Sequence, residues 1–170
     1  MIEYVLAIDP GPEKSGFVVL KYISNNDIKI LDKGYLDNNS INKKICSILI
    51  KNPNINIVIE GVISYGMPIG KSTLETAVWS GRFFQKTKDL GRKKVFFLNR
   101  KDVRITLCGS MRAKTKNIKQ ALKDRFGEIG KKNNRGKLYD IKTDLPKGAL
   151  DHVWSSLAIA VTYIIINHDE

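Results

Sequence analysis

Tyr4-Val5-Leu6-Ala7-Ile8-Asp9-Pro10-Gly11 is the stretch from which the fold is read. Tyr4 to Ile8 is a short apolar run, and Asp9-Pro10-Gly11 ends it with turn residues, so the segment predicts a buried strand stopped by a turn. An acid closing a buried strand is costly unless something offsets its charge, and a metal ion does this well. Asp-Pro-Gly is also an ordinary turn in which Asp caps its own backbone. The segment alone leaves both readings open.

The same grammar recurs at Ile55-Asn56-Ile57-Val58-Ile59-Glu60-Gly61: an apolar strand, an acid, then glycine. If the two strands are parallel neighbours, Asp9 and Glu60 stand side by side at their carboxyl ends. Open α/β sheets bind ligands at that edge. Two carboxylates forced together call for a cation between them.

The pattern extends outward from these strands. Gly16 to Tyr22 and Ile28 to Leu36, joined through Asn25-Asn26-Asp27, complete a β-meander with the first strand. Asn38, Asn39 and Ser40 are good helix caps, and Ile41, Ile45, Ile48 and Leu49 carry helical spacing up to the break at Asn52-Pro53-Asn54. After Glu60 a Gly- and Pro-containing loop runs to Lys71. Ser72-Thr73-Leu74-Glu75 then reads as a capping box for a helix reaching about Asp89. Lys94 to Leu98 predicts a fifth strand, Arg100 to Leu107 and Lys114 to Phe126 two helices, and Gly127 to Lys147 a basic, turn-rich loop. Leu150 to Ile166 predicts a last helix with Leu150, Trp154, Leu157, Ala158, Val161 and Ile165 on one face. Trp79 and Trp154 fall at core spacing. The order suits one domain over residues 1–170: a five-stranded mixed sheet, three antiparallel strands and then parallel ones, flanked by helices.

That last helix begins with Asp151-His152. An Asp in a first helical turn is often only a favourable dipole contact, and a His there can simply be exposed. Packing of the apolar face on the sheet would nevertheless bring this turn to the strand ends, where a third ligand is needed.

The chain is strongly basic: 29 Lys+Arg against 17 Asp+Glu give +12 over 170 residues. This points to a polyanionic partner. A Lys-, Asn- and Ile-rich composition also follows from an AT-rich genome, but the excess is clustered. Arg112 to Lys147 holds twelve Lys+Arg and four Asp+Glu, a net of +8. Cys46 and Cys108 lie far apart and imply no disulfide framework, as expected of a reducing cytosol. No leader is visible, and apolar runs such as Val161 to Ile166 are too short to span a bilayer, so no membrane is expected.

Ala7-Ile8-Asp9-Pro10-Gly11 with Gly16, then Val58-Ile59-Glu60, then Asp151-His152-Val153-Trp154-Ser155-Ser156-Leu157-Ala158-Ile159-Ala160 resembles the RuvC-type Holliday junction resolvases. Ser64 to Gly70, Gly81-Arg82-Phe83, Cys108-Gly109-Ser110 and Arg112-Ala113-Lys114 resemble the phage and prophage branch of that family. The resemblance implies an RNase H-like fold and a cytoplasmic homodimer in a bacterial or phage-infected cell. It also implies hydrolysis of four-way DNA junctions with Mg²⁺ or Mn²⁺, two ions per site. The family holds its metals with four acids, one on strand one, one on strand four and two on the last helix. Asp9 and Glu60 match the first two. The helical pair falls on His152 and Ser155, with Asp151 one residue off register, so Asp151 and His152 both remain candidates. Candidate DNA contacts are Lys71, Arg82, Arg112, Lys114, Lys116, Lys119, Lys131, Lys132 and Arg135. Tyr65 and Met67 are candidates to stack or wedge at a junction centre. An RNA–DNA hybrid nuclease, a non-catalytic DNA-binding module and an actin-like ATPase are the competing readings; the last needs two such domains.

Overall fold

The computed structural model describes every residue except 65, 92–93, 128–129, 132–133, 136, 139–140, 142–143 and 169–170; at 130–131, 134–135 and 168 it describes the backbone alone. Five strands form one sheet: β1 (Glu3–Asp9), β2 (Lys14–Ser24), β3 (Asp27–Asp37), β4 (Asn56–Gly61) and β5 (Val95–Asn99), in the order β3-β2-β1-β4-β5. β1, β2 and β3 pair antiparallel, while β4 runs parallel to both β1 and β5. This is the mixed sheet expected.

Alternation along the strands divides the core in two. Val5, Ala7 and Val58 point to one face and meet Val153, Trp154, Leu157 and Val161 of α5 (Leu150–His168). Leu6, Ile8, Ile57 and Ile59 point to the other and meet Ile41, Ile45 and Ile48 of α1 (Asn38–Lys51) and Phe83 of α2 (Lys71–Asp89). Each fully buried aliphatic side chain contributes on the order of 1.5–3 kcal/mol. β1 and β4 are therefore fixed in register by both layers. α3 (Arg100–Cys108) and α4 (Thr115–Phe126) pack on the α5 side.

Two helix starts differ from expectation. α1 is capped by Asp37, whose side chain accepts from the Ser40 N–H at 2.9 Å, because Asn38 is drawn inward and buried. α2 begins at Lys71, not Ser72. Its cap is Gly70, in extended conformation and without a side-chain bond, so the Ser72–Glu75 capping box does not form; Glu75 faces Lys71 at 3.7 Å instead. The basic stretch after α4 is also more than a loop. It holds the two-residue strands β6 (Gly130–Lys131) and β7 (Asn134–Arg135), and it buries Leu138 and Ile141 fully in the α5-side core. α5 is a 19-residue helix, long and apolar enough in composition to cross a membrane, which the shorter apolar run did not suggest. Its burial against the sheet accounts for that composition.

Candidate active site

The site is built where β1 and β4 end. Ile8 pairs with Ile59, which sets Asp9 beside Glu60 at the carboxyl edge. Asp9 is 7% exposed. The Asp9-Pro10-Gly11 turn does not use this carboxylate. Gly11 N–H donates to Ser15 Oγ, the Ser15 hydroxyl donates to Asn38 Oδ1, and Asn38 Nδ2 donates to Gly11 O. Gly11 also leaves no room for a side chain, since a Cβ would stand 2.3 Å from Lys14 O. The carboxylate is thus left to its neighbours across the site.

α5 supplies the third group through a close approach. Asp9 pairs with Gly16 on β2, and a Cβ on Gly16 would lie 2.7 Å from His152 O and 2.9 Å from His152 Cβ. Only glycine lets the first turn of α5 press onto the sheet here. His152 Nδ1 then sits 3.1 Å from Asp9 Oδ2. Tyr35, cross-strand from Gly16, stacks on the imidazole with centroids 4.3 Å apart and rings 3° from parallel. The bond to Asp9 holds the His152 pKa above its ordinary value of 6.5 despite partial burial.

Asp151 faces elsewhere. Its carboxylate is exposed and paired to Lys119 of α4, which lowers its pKa. The structure therefore brings Asp9, Glu60 and His152 together and leaves Asp151 outside the group. Ser155 lines a small cleft with Glu60, Arg100 and Lys119.

Glu60 carries the largest electrostatic consequence. Its side chain is 14% exposed and touches Asp9. Burial first, and the Asp9 carboxylate second, push its pKa up to about 8, while Arg100 opposes the shift. Arg100 Nη1 lies 3.5 Å from Glu60 Oε1. The three groups form a row, His152–Asp9–Glu60; among the described residues no three His, Cys, Asp or Glu side chains converge ready-made on one point.

The open side of this row is a groove lined by Asp9, Glu60, Thr73, Arg100, Lys101 and Arg104. These three basic residues escaped the sequence reading, although Arg100 follows β5 at the same sheet edge where Asp9 and Glu60 end their strands. Of the expected DNA contacts, Met67 is exposed on the loop before α2, and Lys71, Arg112, Lys114 and Lys116 are exposed. Lys119 is engaged with Asp151, and Arg82 lies over the Trp79 ring at 4.6 Å. Tyr65 and Lys132 lie outside the described residues, as do the side chains of Lys131 and Arg135. Trp154 is buried in the core; Trp79 is half-buried against Phe83.

No protein-family model matches the sequence, and no curated protein matches it. Solved structures do. RuvC of Thermus thermophilus in complex with a Holliday junction substrate superposes with a TM-score of 0.71 at 16% identity, over 98% of this chain and 96% of that one. The chain has the RuvC fold. A second Thermus thermophilus RuvC structure gives 0.66 at 16% identity over 97% of both chains. The yeast mitochondrial Holliday junction resolvase gives 0.57 at 12% identity, over 94% of this chain and 78% of that one. The RuvC fold thus spans nearly all of the sequence, including β1, β4 and α5, which carry Asp9, Glu60 and His152.

Proposed function

We propose that this protein is a structure-selective endonuclease that resolves four-way DNA junctions, or related branched DNA, by metal-dependent phosphodiester hydrolysis. The observation that carries the reading is the pair Asp9 and Glu60, touching in a nearly dry site beside a groove lined by Arg100, Lys101 and Arg104. A fold shared with a protein solved on a Holliday junction substrate supports it.

The residues fit a divalent cation. A carboxyl that stays protonated up to about 8 because another carboxylate touches it is a group a cation would discharge. Asp9, Glu60 and His152 would hold Mg²⁺ or Mn²⁺, with imidazole suiting Mn²⁺ better than the harder Mg²⁺. An ion held there would supply Lewis acidity: a lowered proton affinity for an attacking water and shielding of charge on the leaving 3′-oxygen. Glu60 would have to give up its proton to serve as a ligand. Tyr35 and Gly16 hold the imidazole in place. Arg100, Lys101 and Arg104 bind phosphate oxygens and position the strand, without reading sequence. Lys71, Arg112, Lys114 and Lys116 extend the basic surface, and Met67 stands on the loop able to reach unpaired bases.

Two symmetric cuts need two sites, so the working form is a homodimer. Exposed apolar side chains that a second copy would cover include Ile63 and Phe97 in one groove and Leu74 and Val78 in another. Sedimentation should show a dimer at micromolar concentration; a monomer both free and on DNA refutes this part. The activity is tested by incubating the protein with plain duplex, RNA–DNA hybrid and four-way DNA in Mg²⁺ or Mn²⁺. Paired cuts confined to the four-way substrate are expected. Cutting of the hybrid alone would favour a hybrid nuclease, and no cutting of any substrate a binding module.

A further inference from the structure

Building on the junction-nuclease reading, we infer that Arg100 takes the place of a second metal ion, so that each site works with one divalent cation. The family pattern described above places a fourth acid where this chain has Ser155, which cannot supply a negative charge. The small cleft that Ser155 lines holds a cation beside the candidate ligand carboxylate: Glu60, Arg100 and Ser155 are among its lining residues. Arg100 is held there from both sides. It is the first residue of α3, whose N-terminus is fixed by a reciprocal capping box between Asn99 and Asp102, and its Nη1 lies 3.5 Å from Glu60 Oε1.

A guanidinium carries its charge at every working pH and presents several donors in one plane, suited to a phosphate. Arg100 is 43% exposed and also lines the open groove beside Asp9 and Glu60, so it reaches both the ligand carboxylate and a strand lying in that groove. A second dication would meet this fixed positive charge with one carboxylate fewer to hold it. The position that needs positive charge is thus already filled by the chain. Arg100 would donate to a non-bridging oxygen of the scissile phosphate, and Asp9, Glu60 and His152 would be the residues to hold the single ion.

The test counts bound Mn²⁺ by electron paramagnetic resonance of the free ion during titration. It is done on the protein alone and on its complex with an uncleavable four-way junction, with the DNA-only titration subtracted. Wild type and Arg100→Lys should each bind one Mn²⁺ per chain, and the double variant Arg100→Ala/Ser155→Asp should bind two. Arg100→Ala alone should lower kcat at least about tenfold while junction affinity moves less than about threefold, as for loss of a charge that acts mainly in the transition state. Two ions in wild type, a count of one in the folded double variant, or an unchanged kcat in Arg100→Ala would each overturn the inference. No Mn²⁺ bound to wild type would instead overturn the metal-site reading on which it rests. The wild-type count decides even if the double variant fails to fold.

Discussion

Glu60→Gln should make the metal-free protein more stable while destroying its response to metal. An acid that ionises near 8 rather than at 4.5 opposes folding between those values, because the unfolded chain has already released the proton and the folded chain has not. The sign follows: the stability of the metal-free protein falls as pH rises through that window. At about pH 7.5 the cost is on the order of 2–4 kcal/mol, at about 1.4 kcal/mol for each tenfold of ionisation forgone. Gln keeps the shape, keeps an N–H to donate to Asp9, and has no proton to lose. For a chain of 170 residues the gain corresponds to roughly 5–15 °C in Tm. The assay is thermal unfolding near pH 7.5, first in chelator and then with Mn²⁺. Wild type should melt below the variant in chelator and rise by several degrees with Mn²⁺, since about 2.7 kcal/mol is gained at a hundred times Kd. The variant should not move. Cleavage by the variant should fall at least about a hundredfold with junction binding retained. A variant that melts below wild type in chelator, or that gains as much from Mn²⁺, refutes the view that Glu60 is a strained ligand.

His152→Ala should lower cleavage by roughly a hundredfold or more, whereas Asp151→Asn, which removes only an exposed pair with Lys119, should cost about 0–1 kcal/mol in stability and little activity; the opposite ranking would mean that Asp151 is the ligand. The raised pKa of His152 predicts that Mn²⁺ affinity, followed by calorimetry, weakens as pH falls through a value above 6.5, because the proton must leave before the imidazole binds. In the metal-free protein the same group stabilises the fold at low pH, and that contribution is lost as pH rises through its folded pKa; a Mn²⁺ affinity flat from about pH 8 to 6 would exclude His152 as a ligand. Gly16→Ala should force the first turn of α5 off the sheet, costing about 1–3 kcal/mol and most of the activity, and wild-type kinetics in this variant would show that the 2.7 Å approach does not position His152. Junction binding should weaken steeply with salt, with a log–log slope of several units, and charge reversal at Lys131 and Lys132 should weaken binding to all DNA shapes alike; a flat salt response sinks the phosphate-contact argument.

The strand ends were legible because burial and charge conflict there in plain view: Ile8-Asp9 and Ile59-Glu60 each close an apolar run with an acid, and the observed register sets those two residues side by side. The choice between Asp151 and His152 was not legible. Adjacent helical positions point about 100° apart, and which one faces Asp9 depends on how far α5 settles onto Gly16, a tertiary fact. Arg100 and Tyr35 were missed for a related reason. Neither breaks a local pattern; each matters only through the partner that the sheet brings to it from about 40 and 117 residues away along the chain. The α1 cap moved from Asn38 to Asp37 because Asn38 was needed by a turn distant in sequence.

The three parts of the site come from the start, the middle and the far end of the chain: β1, β4 and the first turn of α5. During synthesis Asp9 and Glu60 emerge long before His152. A nascent chain that has not yet released α5 lacks the imidazole, and it also lacks the helix that packs centrally on one face of the sheet. The complete site is therefore the last part of the fold to form on the growing polypeptide, and a ribosome stalled before residue 150 holds a product with exposed sheet and an unfinished site.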